Sequence, residues 1–130
     1  MFPVEKTDEE WRRILTPEQY QVLRGHATER PGSCALLVEK RPGTFYCVGC
    51  GNELFANDTK FESGTGWPSF FAPRAGSIET NTDSTYGMTR TEVHCARCGG
   101  HLGHVFPDGP PPTGRRYCIN GVALRFEPRE

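Results

Sequence analysis

Tyr46-Cys-Val-Gly-Cys-Gly51 and Glu92-Val-His-Cys-Ala-Arg-Cys-Gly99 carry the same Cys-x-x-Cys-Gly turn twice, with 44 residues between Cys50 and Cys95. A two-residue spacer lets one tight turn present both sulfurs of a pair to a single ion, and zinc accepts four thiolates as a tetrahedron. The trailing glycine suits such a turn, because it takes positive φ without a Cβ clash. Cys47, Cys50, Cys95 and Cys98 are therefore expected to form one structural Zn²⁺ site joining two distant parts of the chain. A thioredoxin-type redox pair is the rival reading, but it needs only one Cys-x-x-Cys and a βαβ setting. His94, His101 and His104 lie near enough in sequence to replace a thiolate. Six cysteines less these four leave Cys34 and Cys118 for chemistry.

Upstream of the first turn, Thr7-Asp-Glu-Glu10 reads as a capping box opening a short helix to about Leu15, with Trp11, Ile14 and Leu15 on one side. Thr16 caps a second helix, with Pro17 at its first position, Gln19 completing the box and Gly25 as its stop. From Pro31 onward short β-rich runs are broken by Gly, Pro, Asn and Asp. Strands are expected at Thr44–Val48, Glu53–Ala56, Gly87–His94, His101–Phe106 and Tyr117–Phe126, the last with a possible break at Gly121. Val122, Leu124 and Phe126 alternate with Ala123 and Arg125 as in a strand with one buried face. Strands without long intervening helices predict a mainly β (α+β) fold with antiparallel pairing. Pro110, Pro111 and Pro112 predict a rigid exposed loop.

At 130 residues the chain is expected to be one domain, 1–130, with a helical N-terminal segment (1–30) and a β-rich core (31–130). An apolar fraction of 35% makes that core modest, so a metal staple would help it. A net charge of −1, with acidic and basic residues intermixed, offers no basic face for phosphates and disfavours nucleic acid and membrane surfaces. The first residues lack an apolar leader core, and nowhere do 18 apolar residues run together. The reading is a soluble, cytoplasmic, monomeric protein, where cysteines serve metal binding and redox chemistry rather than disulfides.

Cys118 follows Arg115 and Arg116 on an expected strand. Nearby cations favour the thiolate and hence the nucleophile, whereas a plain buried cysteine is a small inert hydrophobe. His101 and His104 are three apart, so on a regular strand they would point to opposite faces. A histidine there is a natural acid at neutral pH or simply a packed side chain. Gly64-Thr-Gly-Trp-Pro-Ser-Phe-Phe71 sets aromatics among glycines and proline, either an aromatic wall for a soft ligand or a lid on the core.

Taken together, Tyr46–Gly51, Lys60-Phe-Glu-Ser-Gly-Thr-Gly-Trp-Pro-Ser-Phe70, Glu92–Gly99, His101-Leu-Gly-His-Val-Phe106 and Arg116-Tyr-Cys-Ile-Asn120 resemble the type B methionine sulfoxide reductases over residues 7–127. The resemblance implies two small antiparallel β-sheets in a barrel-like core, zinc on the four cysteines, Cys118 as nucleophile and Trp67 against the substrate S-methyl group. It further implies His104 as acid, with His101 and Asn120 around the sulfoxide oxygen, and Phe70, Arg116 and Asp108 among the substrate-binding residues. Many members carry a resolving cysteine between the two glycines before the tryptophan. Here that place is Thr65. Some relatives with threonine there use an N-terminal cysteine, and Cys34 is the uncommitted thiol. The implied reaction reduces methionine (R)-sulfoxide in oxidised proteins or peptides, through a Cys118 sulfenic acid and then a disulfide recycled by thioredoxin. A non-catalytic zinc-ribbon binding module is the alternative, for which Cys118 would be incidental. A zinc hydrolase would need an open coordination position, which four thiolates deny.

Overall fold

The computed structural model describes residues 4–25, 27–30, 32, 34–84 and 89–128. Two short helices come first, α1 (Asp8–Ile14) and α2 (Pro17–Leu23), and each opens on a complete capping box, Thr7 with Glu10 and Thr16 with Gln19. Reciprocal side-chain and backbone bonds there satisfy donors that a seven-residue helix would otherwise leave to water. Trp11, Leu15, Val22 and Leu23 are buried, whereas Ile14, expected beside Trp11 and Leu15, is 55% exposed. Each fully buried apolar side chain of this size contributes roughly 1.5–3 kcal/mol, so the helices are held by packing rather than by their own propensity.

Among the described residues nine strands follow: β1 (Gly43–Cys47), β2 (Glu53–Ala56), β3 (Lys60–Phe61), β4 (Ser69–Phe70), β5 (Ile78–Asp83), β6 (Arg90–Cys95), β7 (His101–Phe106), β8 (Arg116–Ile119) and β9 (Leu124–Pro128). They form two antiparallel sheets, β2-β1-β9 and β3-β4-β8-β7-β6-β5. The run expected from Tyr117 to Phe126, with a possible break at Gly121, is two strands in different sheets, and the break falls at that glycine. A 3₁₀ turn at Gly121–Ala123 makes the crossing. Gly87 and Met88, the start of the third expected strand, lie outside the described residues, and the observed strand begins at Arg90. β5 was not expected: its Ile-Glu-Thr-Asn-Thr-Asp sequence has mostly exposed polar residues at a sheet edge.

Between the sheets, Phe70 stacks on Phe55 at 4.2 Å and meets Phe45 edge-on at 5.1 Å, and Tyr117 closes the cluster. The helical pair covers the two cysteine turns. A Cβ on Gly49 would lie 3.1 Å from Trp11, and one on Gly100 would lie 2.7 Å from Leu23, so these glycines admit the helices. Arg24 donates to the Cys98 carbonyl at 3.0 Å while lying over the Trp11 ring. The four cysteines thus join β1 of one sheet to β6 of the other beneath α1 and α2.

Candidate active site and metal centre

In each cysteine turn the glycine that follows takes positive φ, 79° at Gly51 and 73° at Gly99. Its amide returns to the carbonyl of the first cysteine, Gly51 to Cys47 at 2.8 Å and Gly99 to Cys95 at 2.9 Å. The four sulfurs lie within 4.8 Å of one another, with Cys47–Cys98 at 3.8 Å and Cys50–Cys95 at 3.6 Å. Zinc–sulfur bonds of about 2.3 Å require tetrahedron edges of about 3.8 Å, so the spacing fits a tetrahedral ion. Crowding splits the thiols: hydrogen bonds led by the one from Cys47 hold Cys95 toward the thiolate, while Cys47 is pushed up. A divalent cation relieves that conflict by taking all four as thiolates. Cys47, Cys95 and Cys98 are buried.

The candidate reactive face is built on β7 and β8. Antiparallel pairing sets Cys118 opposite His104 on one side and opposite Ser69 on the other. Glu92 of β6 lies opposite His104 in turn. Cys118 and His104, with Thr28, Thr65, Trp67, Arg90, Gly103, Phe106, Arg116 and Asn120, line a cavity of about 280 Å³. A wider depression of about 670 Å³ over β1 and β2 has no cysteine or histidine in its lining and so offers no thiol.

The two histidines do not point to opposite faces. A bulge in the β6–β7 pairing sets His94 opposite His101 and Val93 opposite Gly103, so Leu102 is an extra residue on β7. An extra residue shifts the two-residue alternation, and His101 joins His104 and Glu92 on one face, with the imidazole centroids 5.4 Å apart. Glu92, only 7% exposed, reaches Nδ1 of His101 at 3.1 Å and Nδ1 of His94 at 3.5 Å. His101 therefore stands behind His104 rather than in the cavity.

Arg116 grips Asp108 with two bonds of 2.9 and 3.2 Å and lies over Phe106 with its charge 4.5 Å from the ring centre. Burial pushes the Cys118 thiol up, and the Arg116 charge and the Thr65 hydroxyl oppose that rise. Asp108 is an exposed anchor for Arg116 outside the cavity lining. Phe70 is fully buried within the aromatic cluster and is also absent from the lining.

Trp67 is fixed by its indole N–H, which donates to the Glu29 carbonyl at 2.9 Å. Asn120 accepts from the Glu29 amide at 2.9 Å and donates to the Leu102 carbonyl at 3.0 Å. Cys34 begins the 3₁₀ turn Ala35–Val38 and packs against Gly121, where a Cβ would lie 2.4 Å from its sulfur. It thus sits beside Gly121, which lies three residues beyond Cys118 on the chain that leaves β8. Pro31 and Ser33 of the same loop lie outside the described residues. Glu29, Glu92, Thr28, Arg90, Gly103 and Phe106 were not singled out from sequence. Of these, Glu92 was detectable two residues before His94 within an already quoted motif.

No helix among the described residues is long and apolar enough to cross a membrane. The SelR domain family matches residues 15–128. A peptide methionine sulfoxide reductase MsrB of Pseudomonas putida is 59% identical over 132 residues, covering 100% of this chain and 98% of its own length. One from Methanosarcina barkeri is 57% identical, covering 98% and 90% respectively, and one from Agrobacterium fabrum is 56% identical, covering 96% and 93%. The chain belongs to the SelR family and is a type B methionine sulfoxide reductase, an oxidoreductase acting on the sulfoxide of methionine.

Proposed function

We propose that this enzyme reduces methionine (R)-sulfoxide, chiefly in proteins, with Cys118 as nucleophile, His104 as acid and Cys34 as resolving thiol. The observation that carries the reading is the pairing of Cys118 with His104 across β7 and β8, inside one cavity walled by Trp67. A sulfoxide oxygen leaves sulfur only when protonated, so a nucleophile and an acid must reach adjacent atoms of one group. Opposite positions on paired strands hold two side chains about 4.5–5.5 Å apart at Cβ, close enough for both to converge on the sulfur and the oxygen of one sulfoxide.

In the first step the Cys118 sulfur takes the oxygen and the substrate leaves as methionine. The Cys118 sulfur is oxidised to sulfenic acid and the methionine sulfur is reduced by the same two electrons. Trp67 supports the S-methyl group, Arg116 favours the thiolate, and Asn120 and His101 hold the polar side of the cavity in place. In the second step Cys34 displaces the sulfenic oxygen as water, and thioredoxin reduces the resulting disulfide by exchange. Zinc on Cys47, Cys50, Cys95 and Cys98 is structural, since four thiolates leave no open position. The chain works as a monomeric, cytoplasmic, single catalytic unit of residues 1–130.

Single-turnover reduction of separated R and S epimers of a methionine sulfoxide peptide, with free thiols counted under denaturing conditions, tests this scheme. The R epimer gives product with loss of two thiols. Cys118→Ser gives none, and Cys34→Ser gives one product per enzyme with one thiol lost and then stalls with thioredoxin. Sustained thioredoxin-supported turnover by Cys34→Ser refutes the resolving assignment.

A further inference from the structure

Glu29 is a carboxylate that the scheme above leaves idle, yet it stands at the junction of all its parts. Its carbonyl holds Trp67 and its amide is held by Asn120. One carboxyl oxygen, Oε1, accepts from the Val122 amide at 2.9 Å. The other, Oε2, is buried with no hydrogen-bond partner among the described residues, in a side chain whose residue is 5% exposed. A buried carboxyl oxygen without a partner gives up its hydration for nothing in return, so its retention asks for a use.

Geometry supplies one. Gly121 has no side chain, and the place its Cβ would take lies 2.4 Å from the Cys34 sulfur and 3.4 Å from Glu29 Oε2. The thiol and the unpartnered oxygen therefore both border that vacant methyl position, without a hydrogen bond between them. We propose that Glu29 is the proton acceptor for the Cys34 thiol in the resolving step, carrying its proton to the oxygen that leaves Cys118. The inference rests on the reading of Cys34 as the resolving cysteine. In balance, the Cys34 S–H bond breaks and its proton passes through the Glu29 carboxylate to the departing oxygen. The Cys34–Cys118 bond forms as the Cys118 S–O bond breaks, and water leaves. The Cys34 sulfur is oxidised by the electrons that the sulfenic sulfur gains, so no outside reagent enters.

The need for an acceptor is plain. Burial pushes the Cys34 thiol up, against the pull of the Leu36 amide, and leaves it a weak nucleophile unaided. Burial also pushes Glu29 up, opposed by the Val122 amide, the direction that makes a carboxylate a better proton acceptor. The titratable groups facing Glu29 are Glu18 of α2, Cys34 and Cys118.

The test separates the two steps in one turnover of Glu29→Gln, which keeps the backbone bonds to Trp67 and Asn120. Methionine formation is followed by quenched flow, and loss of the second thiol by alkylation and mass spectrometry. The expected result is disulfide formation slowed on the order of 100-fold relative to the methionine burst. That rate then climbs with pH as the Cys34 thiolate fraction does, and Glu29→Asp recovers most of the loss. Disulfide formation at the wild-type rate, or equal slowing of both steps in both variants, overturns the assignment and leaves Glu29 a support only. Two thiols lost by Cys34→Ser would instead remove the resolving reading beneath it, a separate outcome in a separate variant.

Discussion

Replacing Phe70 by leucine decides whether this ring serves the substrate or the core. Phe70 is fully buried, 4.2 Å from Phe55 and 5.1 Å from Phe45 by ring centres, and outside the cavity lining. Leucine carries three fewer carbons, and at about 0.8 kcal/mol each the transfer loss is about 2.4 kcal/mol. Loss of two aromatic pairings, worth about 0.5–1.5 kcal/mol each, deepens it, and partial collapse of the cavity reduces it. A net loss of about 2–3 kcal/mol is expected. For a domain of this size that lowers the melting temperature by about 8–12 °C. The assay pairs denaturant unfolding with steady-state reduction of a methionine sulfoxide peptide well below the new melting point. Stability should fall with KM within about twofold of wild type. A KM raised tenfold, which is about 1.4 kcal/mol of lost binding, with stability unchanged, would refute the core assignment and return Phe70 to the substrate.

Cys95→Ser should lose bound metal and melt well below wild type, because one missing ligand unties β1 from β6; a variant that melts normally without metal would count against a structural centre. Arg116→Met removes the charge that opposes burial at Cys118. Its thiol is then pushed further up, so the pH at which the Cys118 peptide becomes half-reactive to iodoacetamide should move to higher pH, and an unmoved midpoint would show that Arg116 serves only Asp108.

Both helix starts were legible because capping is local chemistry: Thr7, Glu10, Thr16 and Gln19 each act within one turn. The cysteine turns were legible for the same reason. What escaped depends on partners distant in sequence. β3 and β4 are two residues long and exist only as pairings, β4 against β8 and β3 against β4. β5 carries polar residues whose strand character comes from β6, its neighbour in the sheet. The placement of His101 was misread because alternation assumes a regular ladder, and the extra Leu102 breaks it. Glu29 has no motif at all. Its importance appears only when Asn120, Val122 and Trp67, drawn from other parts of the chain, close on it.

The nine residues between Phe106 and Arg116 lie away from the chemistry, yet they govern it. The Gly109 amide donates to the Gly114 carbonyl and the Gly114 amide to the Pro110 carbonyl, closing the loop on itself, while Asp108 clasps Arg116 at its exit. The loop thereby fixes which residue of β8 faces His104. Neighbouring side chains on a strand occupy opposite faces, so a slip of one residue would turn the Cys118 thiol inward and bring Tyr117 or Ile119 to the cavity. A change in loop length would then silence the enzyme while leaving most of its backbone pairing countable and intact, a failure of phase rather than of folding.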